Sequence, residues 1–250
     1  MEQFTKLSQT RFLCSRNYFH FLPVPSLHSI FKTSVLSHLM YRLINAFAYP
    51  FFFVCLLWII MIFQESSGVS LAAFGVLPRH TDGLIGILTM PLIHANFMHL
   101  WSNSFPLIVL GAGVNYFYPE VAGKTWAIIY LLTGLLVWLF ARMNDHIGAS
   151  GIIYGLAAFL FFGGFFRKNI RLLAVSLMIL IYYGGIFWGV FPIDPHISWE
   201  GHLFGAVSGT FAAFIFRNKG PKPERPDWDN EINNQDDGLP HISHYFEVKP

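Results

Sequence analysis

Six apolar runs, each near the ~20 residues that an α-helix needs to cross a bilayer, occupy positions 49–63, 97–118, 125–141, 150–166, 172–191 and 197–216. They are continuous, whereas the strands of a membrane barrel are shorter and alternate apolar with polar positions. In lipid the backbone must satisfy its own polar groups, so continuous runs of this length fold as helices. The expected fold is an all-α polytopic membrane protein, a six-transmembrane-helix bundle. Composition agrees: 54% hydrophobic and 18% aromatic residues stand against 12% charged, with a mean hydropathy of +0.49, far from soluble averages.

Lys and Arg gather in cytoplasmic loops, which orients the bundle. Lys32 and Arg42 precede the first run, Arg167, Lys168 and Arg171 separate the fourth from the fifth, and Arg217, Lys219, Lys222 and Arg225 follow the sixth. With six spans all of these share one side, so both termini are expected in the cytoplasm of a multi-pass protein, the bacterial inner membrane being the expected location. The opposite loops hold a balanced set, Arg79, Asp82, Arg142, Asp145, Asp194 and Glu200. A net charge of +2 then reflects loop placement and excludes a nucleic-acid surface. The division expected is an N-terminal cytoplasmic or interfacial segment, 1–45, a six-helix domain, 46–217, and a polar cytoplasmic tail, 218–250, rich in Pro, Asn and Asp. Segment 1–45 shows no clear helical stripe. Met40 could be the true start, an amphipathic surface segment being the other reading. The N-terminus lacks the apolar core and cleavage site of a signal peptide, and Cys14 and Cys55 suggest no disulfide framework.

Topology brings the polar residues of the spans to one level. The second, fourth and sixth spans all start on the outer side, with His99 and Asn103 in the first turns of the second, Ser150 opening the fourth and His202 near the start of the sixth. His99 and Asn103 are four residues apart and share a helix face, as do Ser150 and Tyr154. Gly151-xxx-Gly155 in the fourth span and Gly201-xxx-Gly205-xxx-Gly209 in the sixth are the spacing that lets membrane helices approach closely. If those faces meet, Ser150 and His202 come within hydrogen-bond reach. A serine needs a base to become a nucleophile, and burial disfavours the charged imidazolium, leaving a neutral base. Neither Asp145 nor Asp194 has a spacing that orients an imidazole, so a dyad with the ring held by packing, on Tyr154, is the economical arrangement. His99, Asn103 and the Ser150 N–H could supply oxyanion donors.

Blander readings exist for each residue. Ser150 could cap or pack a helix, Asn103 could bridge two helices, Tyr154 could be core and His94 interfacial. His99 and His202 could be ligands of a metal, haem or quinone in a cofactor-binding or transport bundle.

Together, His94-xxxx-His99-xxx-Asn103, Gly148-x-Ser150-Gly151-xx-Tyr154-Gly155 and Gly201-His202-xx-Gly205-xxx-Gly209 resemble the three signature blocks of the rhomboid intramembrane serine proteases, over roughly residues 48–217. The resemblance implies a six-helix rhomboid fold with Ser150 as nucleophile and His202 as base. It places His99 and Asn103 at the oxyanion, Tyr154 on the His202 ring and His94 behind the adjoining loop, with Gly148, Gly151 and Gly205 in support. It implies transmembrane protein substrates cleaved near their outer ends within the lipid bilayer, with no metal or cofactor and with the oligomeric state open. A rhomboid-like protein that binds clients without cleaving them is the alternative; it would usually lack the serine or the histidine. Two departures stand out: Pro106 within the second span, expected to kink it, and a first loop, 64–94, that contains Pro78-Arg79 and no Trp-Arg pair. The fifth span, with Tyr182, Tyr183, Gly184, Gly185, Phe187 and Trp188, reads as a movable wall through which a substrate helix could enter.

Overall fold

The computed structural model describes residues 27–170, 172–174, 177–178, 189–191 and 198–221. Most of the fifth expected span, the tail beyond residue 221 and the first 26 residues therefore lie outside the described residues. The chain divides into two units, Met1–Met40 and Tyr41–Pro250. The described end of the first is helical, and the second carries Ser150, His202 and the other candidate site residues.

Among the described residues all extended regular structure is helical: α1 Leu27–Ser67, α2 Phe97–Phe117, α3 Ala122–Phe140, α4 Ser150–Phe166 and α5 Trp199–Ile215. Residues Leu36–Ser67 of α1, together with α2 and α3, are long and apolar enough to cross a membrane; α4 is a shorter apolar helix. The first helix begins well before the expected 49. Leu36, Leu39, Met40, Leu43, Ile44 and Phe47 recur at spacings of three and one, which is a helical stripe. His38 and Arg42 lower the local hydropathy and hid that stripe from a reading based on apolar runs. Pro50 lies inside α1 and Pro106 inside α2, which membrane helices tolerate because neighbouring groups re-satisfy the freed carbonyls. Along α1 large apolar side chains such as Phe52, Ile59 and Ile62 are exposed. In water such a surface would be an aggregation hazard; in an integral membrane protein it faces lipid.

The interior is built on α4. Ile152, Leu156, Phe159 and Leu160 are buried with Leu107 and Leu110 of α2 and Ile129 of α3. Because lipid is as apolar as these side chains, the association relies on close packing, and glycine permits it. A Cβ added to Gly205 would lie 2.0 Å from the Gly151 carbonyl oxygen, and one added to Gly209 would lie 1.9 Å from that of Gly155. The glycine faces of α4 and α5 thus meet backbone to backbone. On its other side α4 is equally tight, with the Ile129 side chain 2.3 Å from a Cβ placed on Gly155.

The first loop is folded. Three single turns of 3-10 helix, Ala72–Phe74, Thr81–Leu84 and Met90–Leu92, flank a one-turn α-helix at Gly86–Thr89. Arg79 ties this loop to α3. Its backbone N–H donates to the Trp138 carbonyl at 2.9 Å, its guanidinium donates to the Ala141 carbonyl at 2.7 Å, and the Trp138 indole donates to the His80 carbonyl at 3.0 Å. The loop is therefore pinned to the C-terminal end of α3, whose last carbonyls have no partner within the helix.

Candidate active site

α2 and α5 each begin at a capping side chain. Asn96 caps α2, its side chain accepting from the His99 N–H at 2.9 Å, so His99 and Asn103 fall in the first two turns. Ser198 caps α5, accepting from the Gly201 N–H at 3.3 Å, which puts His202 at the end of the first turn. The residue before α4 is Ala149, without a side-chain cap. The Ser150 hydroxyl is thus not spent on capping, and the first N–H groups of α4 have no acceptor within the helix.

His202 Nε2 lies 2.8 Å from Ser150 Oγ. At 2.7 Å on the other side of the ring is the carbonyl oxygen of Gly189. A carbonyl can only accept, so Nδ1 carries the proton and Nε2 presents its lone pair to the serine O–H. Tyr154 stacks on the imidazole with ring centroids 4.2 Å apart and planes inclined by 8°. The ring is therefore fixed by a face contact and an in-plane hydrogen bond. Gly189 was not singled out from the sequence, where a backbone acceptor leaves no trace; the nearby Asp194 lies outside the described residues. A Cβ on Gly189 would stand 2.0 Å from the Tyr154 hydroxyl and 3.0 Å from His202 Nδ1, so the position has no room for a side chain.

On the far side of Ser150 the second histidine-bearing face converges. Gly148 has a φ of +113°, which a side chain would strain, and a Cβ there would lie 2.9 Å from the His99 ring and 4.0 Å from Asn103 Nδ2. Asn103 is 5% exposed and its Nδ2 has no hydrogen-bond partner. A buried donor left unmatched costs about 1–3 kcal/mol, so an amide held this way is suited to a charge that appears during a reaction. His94 stands behind the loop: its Nε2 accepts from the Ala149 N–H at 3.4 Å, and its ring meets that of His99 edge-on at 5.1 Å. All the site residues singled out from sequence thus lie around the start of α4. Among the described residues no group of three or more His, Cys, Asp or Glu is placed to hold a metal ion.

Two further histidine environments lie outside the spanning helices. Burial pushes His94 down to about 3 from the ordinary 6.5, with the neighbouring His99 adding to the effect. Burial also holds His146 below that value, against the opposing pull of the Arg142 carbonyl and Glu200. Below about 6.5 the unfolded chain therefore binds more protons than the folded one, and stability falls as pH drops from there toward each folded value. The unfolding temperature of the detergent-solubilised protein should decline between about pH 7 and pH 4, and His94→Asn should flatten the decline. A variant that follows the wild-type curve would show that His94 is not held neutral by the fold.

A family model described as the rhomboid domain matches residues 81–219. A protein of Mycobacterium tuberculosis whose function is uncharacterised is 41% identical over 177 residues, covering 65% of this chain and 72% of that protein. A likewise uncharacterised protein of Mycobacterium leprae is 37% identical over 178 residues, 65% and 68% of the two chains. A Bacillus subtilis protein provisionally named a rhomboid protease is 27% identical over 135 residues, 52% of this chain and 65% of that one.

Proposed function

The chain belongs to the rhomboid family of intramembrane proteases, and from that premise we propose that it is a serine endopeptidase that cleaves transmembrane helices near their extracytoplasmic ends. The observation that carries the proposal is the 2.8 Å contact between Ser150 Oγ and the unprotonated Nε2 of His202. Six spans with both termini cytoplasmic complete the picture, supported by the placement of Lys and Arg.

The steps follow from the geometry. Ser150 Oγ attacks the scissile carbonyl carbon while its proton passes to His202 Nε2, the Gly189 carbonyl holding the imidazolium through Nδ1–H. The oxyanion meets Asn103 Nδ2, His99 and the free N–H at the start of α4. Collapse of the tetrahedral adduct breaks the C–N bond, and Nε2–H protonates the departing amine. Water then attacks the acyl carbon while giving a proton to Nε2, and collapse of this second adduct breaks the C–Oγ bond, Nε2–H returning the proton to Ser150 Oγ as the new carboxylic acid leaves. A dyad formed at the first residue of α4 and in the first turn of α5 reaches a substrate bond at the same depth.

Cleavage of a single-span protein co-reconstituted in liposomes tests this, with the cut site mapped by mass spectrometry. A cut within the first turns of the substrate's outer end is expected; substrate left intact by folded wild-type protein would refute the reading. Asn103→Ala should be milder than loss of the dyad. Removing one oxyanion donor typically costs about 3 kcal/mol, or ~100-fold in kcat, while His99 and the backbone N–H remain. A variant as inactive as Ser150→Ala with folding intact would make Asn103 indispensable to the site rather than one donor of several.

A further inference from the structure

Four residues upstream of each member of the Ser150–His202 contact lies a second serine–histidine contact, with the residue types exchanged between the two segments. His146 precedes Ser150 by four positions and Ser198 precedes His202 by four, and both pairs are 52 residues apart in sequence. His146 Nδ1 and Ser198 Oγ are 2.6 Å apart. The Arg142 carbonyl, 3.0 Å from His146 Nε2, can only accept, so Nε2 carries the proton and Nδ1 accepts from the Ser198 hydroxyl. Ser198 Oγ in turn accepts from the Gly201 N–H. The Ser198 hydroxyl thus donates to a ring that is 1% exposed while its oxygen also accepts in the helix cap, so the pair ties the two segments together.

Beside this pair Glu200, 3% exposed, receives Arg142. Its Oε1 is 3.3 Å from the guanidinium Nε and 3.4 Å from the Arg142 backbone N–H, while Oε2 is buried without a hydrogen bond. Two residues of the segment leading into α4 therefore grip the N-cap, Ser198, and one residue of the first turn of α5, Glu200. A seam of glycines resists compression steeply, because backbone would meet backbone, yet it offers no side-chain knobs against sliding along the helix axis. Something else must set the axial register that places His202 opposite Ser150.

We propose that Arg142, His146, Ser198 and Glu200 form a clasp that fixes this register and so sets the Ser150–His202 distance. They are positioning residues, touching no reacting atom, and the proposal rests on the serine-protease reading above. Only three residues separate His146 from Ser150, so a shift of the clasp has little slack in which to be absorbed. The Arg142 side chain is 36% exposed while that of Glu200 is 4% exposed, and a buried carboxylate is a costly tie where stability alone is needed, since apolar residues of similar volume often do as well.

The full-length protein in liposomes tests the clasp through Ser198→Ala, Ser198→Thr and the double variant Arg142→Met/Glu200→Leu. Three measurements are needed: kcat and KM per active site titrated with a fluorophosphonate, unfolding temperature, and amide exchange at residues 146–150. Ser198→Ala should lose at least ~10-fold in kcat per titrated site with KM unchanged, since sub-ångström misplacement of reacting groups acts on the chemical step. Ser198→Thr should restore kcat. The double variant should keep its unfolding temperature and still lose kcat. Wild-type kcat per titrated site in Ser198→Ala or in the double variant, whatever the active fraction, would overturn the clasp. If the wild type is itself neither labelled nor active, the protease reading has failed, and exchange decides the clasp: faster exchange at 146–150 in Ser198→Ala upholds it, unchanged exchange overturns it.

Discussion

His202→Ala should lower cleavage of a membrane-embedded substrate by about 10⁴-fold or more while the protein stays folded, the loss expected when the base of a serine hydrolase is removed. His202 lies in the first turn of α5, one residue after Gly201 and three before Gly205, and its ring contacts are Ser150, Gly189 and Tyr154. The Ser150 and Tyr154 contacts cross to α4, but the close approach of the two helices is made by the backbones of Gly151, Gly155, Gly205 and Gly209, so alanine, the best helix former, leaves that packing in place. Without Nε2 the Ser150 hydroxyl has no acceptor for its proton. Ser150→Ala should be as severe, and the double variant Ser150→Ala/His202→Ala no slower than either, because the two groups act as a unit. Cleavage by His202→Ala within tenfold of wild type, or a double variant far below both singles, would break the pairing.

The second large effect is steric. Gly205→Val should abolish activity and lower the unfolding temperature without altering either member of the dyad. A Cβ at 2.0 Å from the Gly151 carbonyl oxygen must move outward by more than 1 Å to reach ordinary contact, and what it meets is backbone, which cannot rotate away. The helices must separate, and a 1 Å displacement at the dyad costs about 100-fold before any loss of packing, itself ~1–3 kcal/mol for an overfilled core. Gly123→Val is the control, since a Cβ there meets nothing within 4 Å, and it should leave activity unchanged. Equal activity and stability of Gly205→Val and wild type would mean that the two faces do not meet as described.

The sequence carries the parts of this arrangement that periodicity and composition encode. α4 spans the residues its apolar run marks, 150–166, and α2 begins at the expected 97, because apolar runs end where polar caps and loops begin. The shared face of His99 and Asn103 and the glycine seam follow from spacings of four. The extension of α1 toward Leu27 was missed because a charge within a stripe weighs more in a hydropathy reading than the stripe itself. Gly189 was missed for another reason: its contribution is a backbone carbonyl, a group every residue has. Glu200 and Arg142 were counted among outer-loop charges, since a sequence does not distinguish a solvated carboxylate from one buried against a guanidinium. The first loop was illegible throughout, because it is held by backbone hydrogen bonds and by Arg79 reaching carbonyls some sixty positions away.

The pairing of Ser150 with His202 is tested most directly by covalent capture. A fluorophosphonate reacts with a serine whose proton a base removes, and the adduct can be mapped to one residue by mass spectrometry. Incubated with the probe in detergent, the wild-type protein should carry a single adduct on Ser150, absent from Ser150→Ala and formed far more slowly in His202→Ala. Labelling that persists in Ser150→Ala, or an adduct on any other serine, would contradict the assignment of Ser150 as the nucleophile.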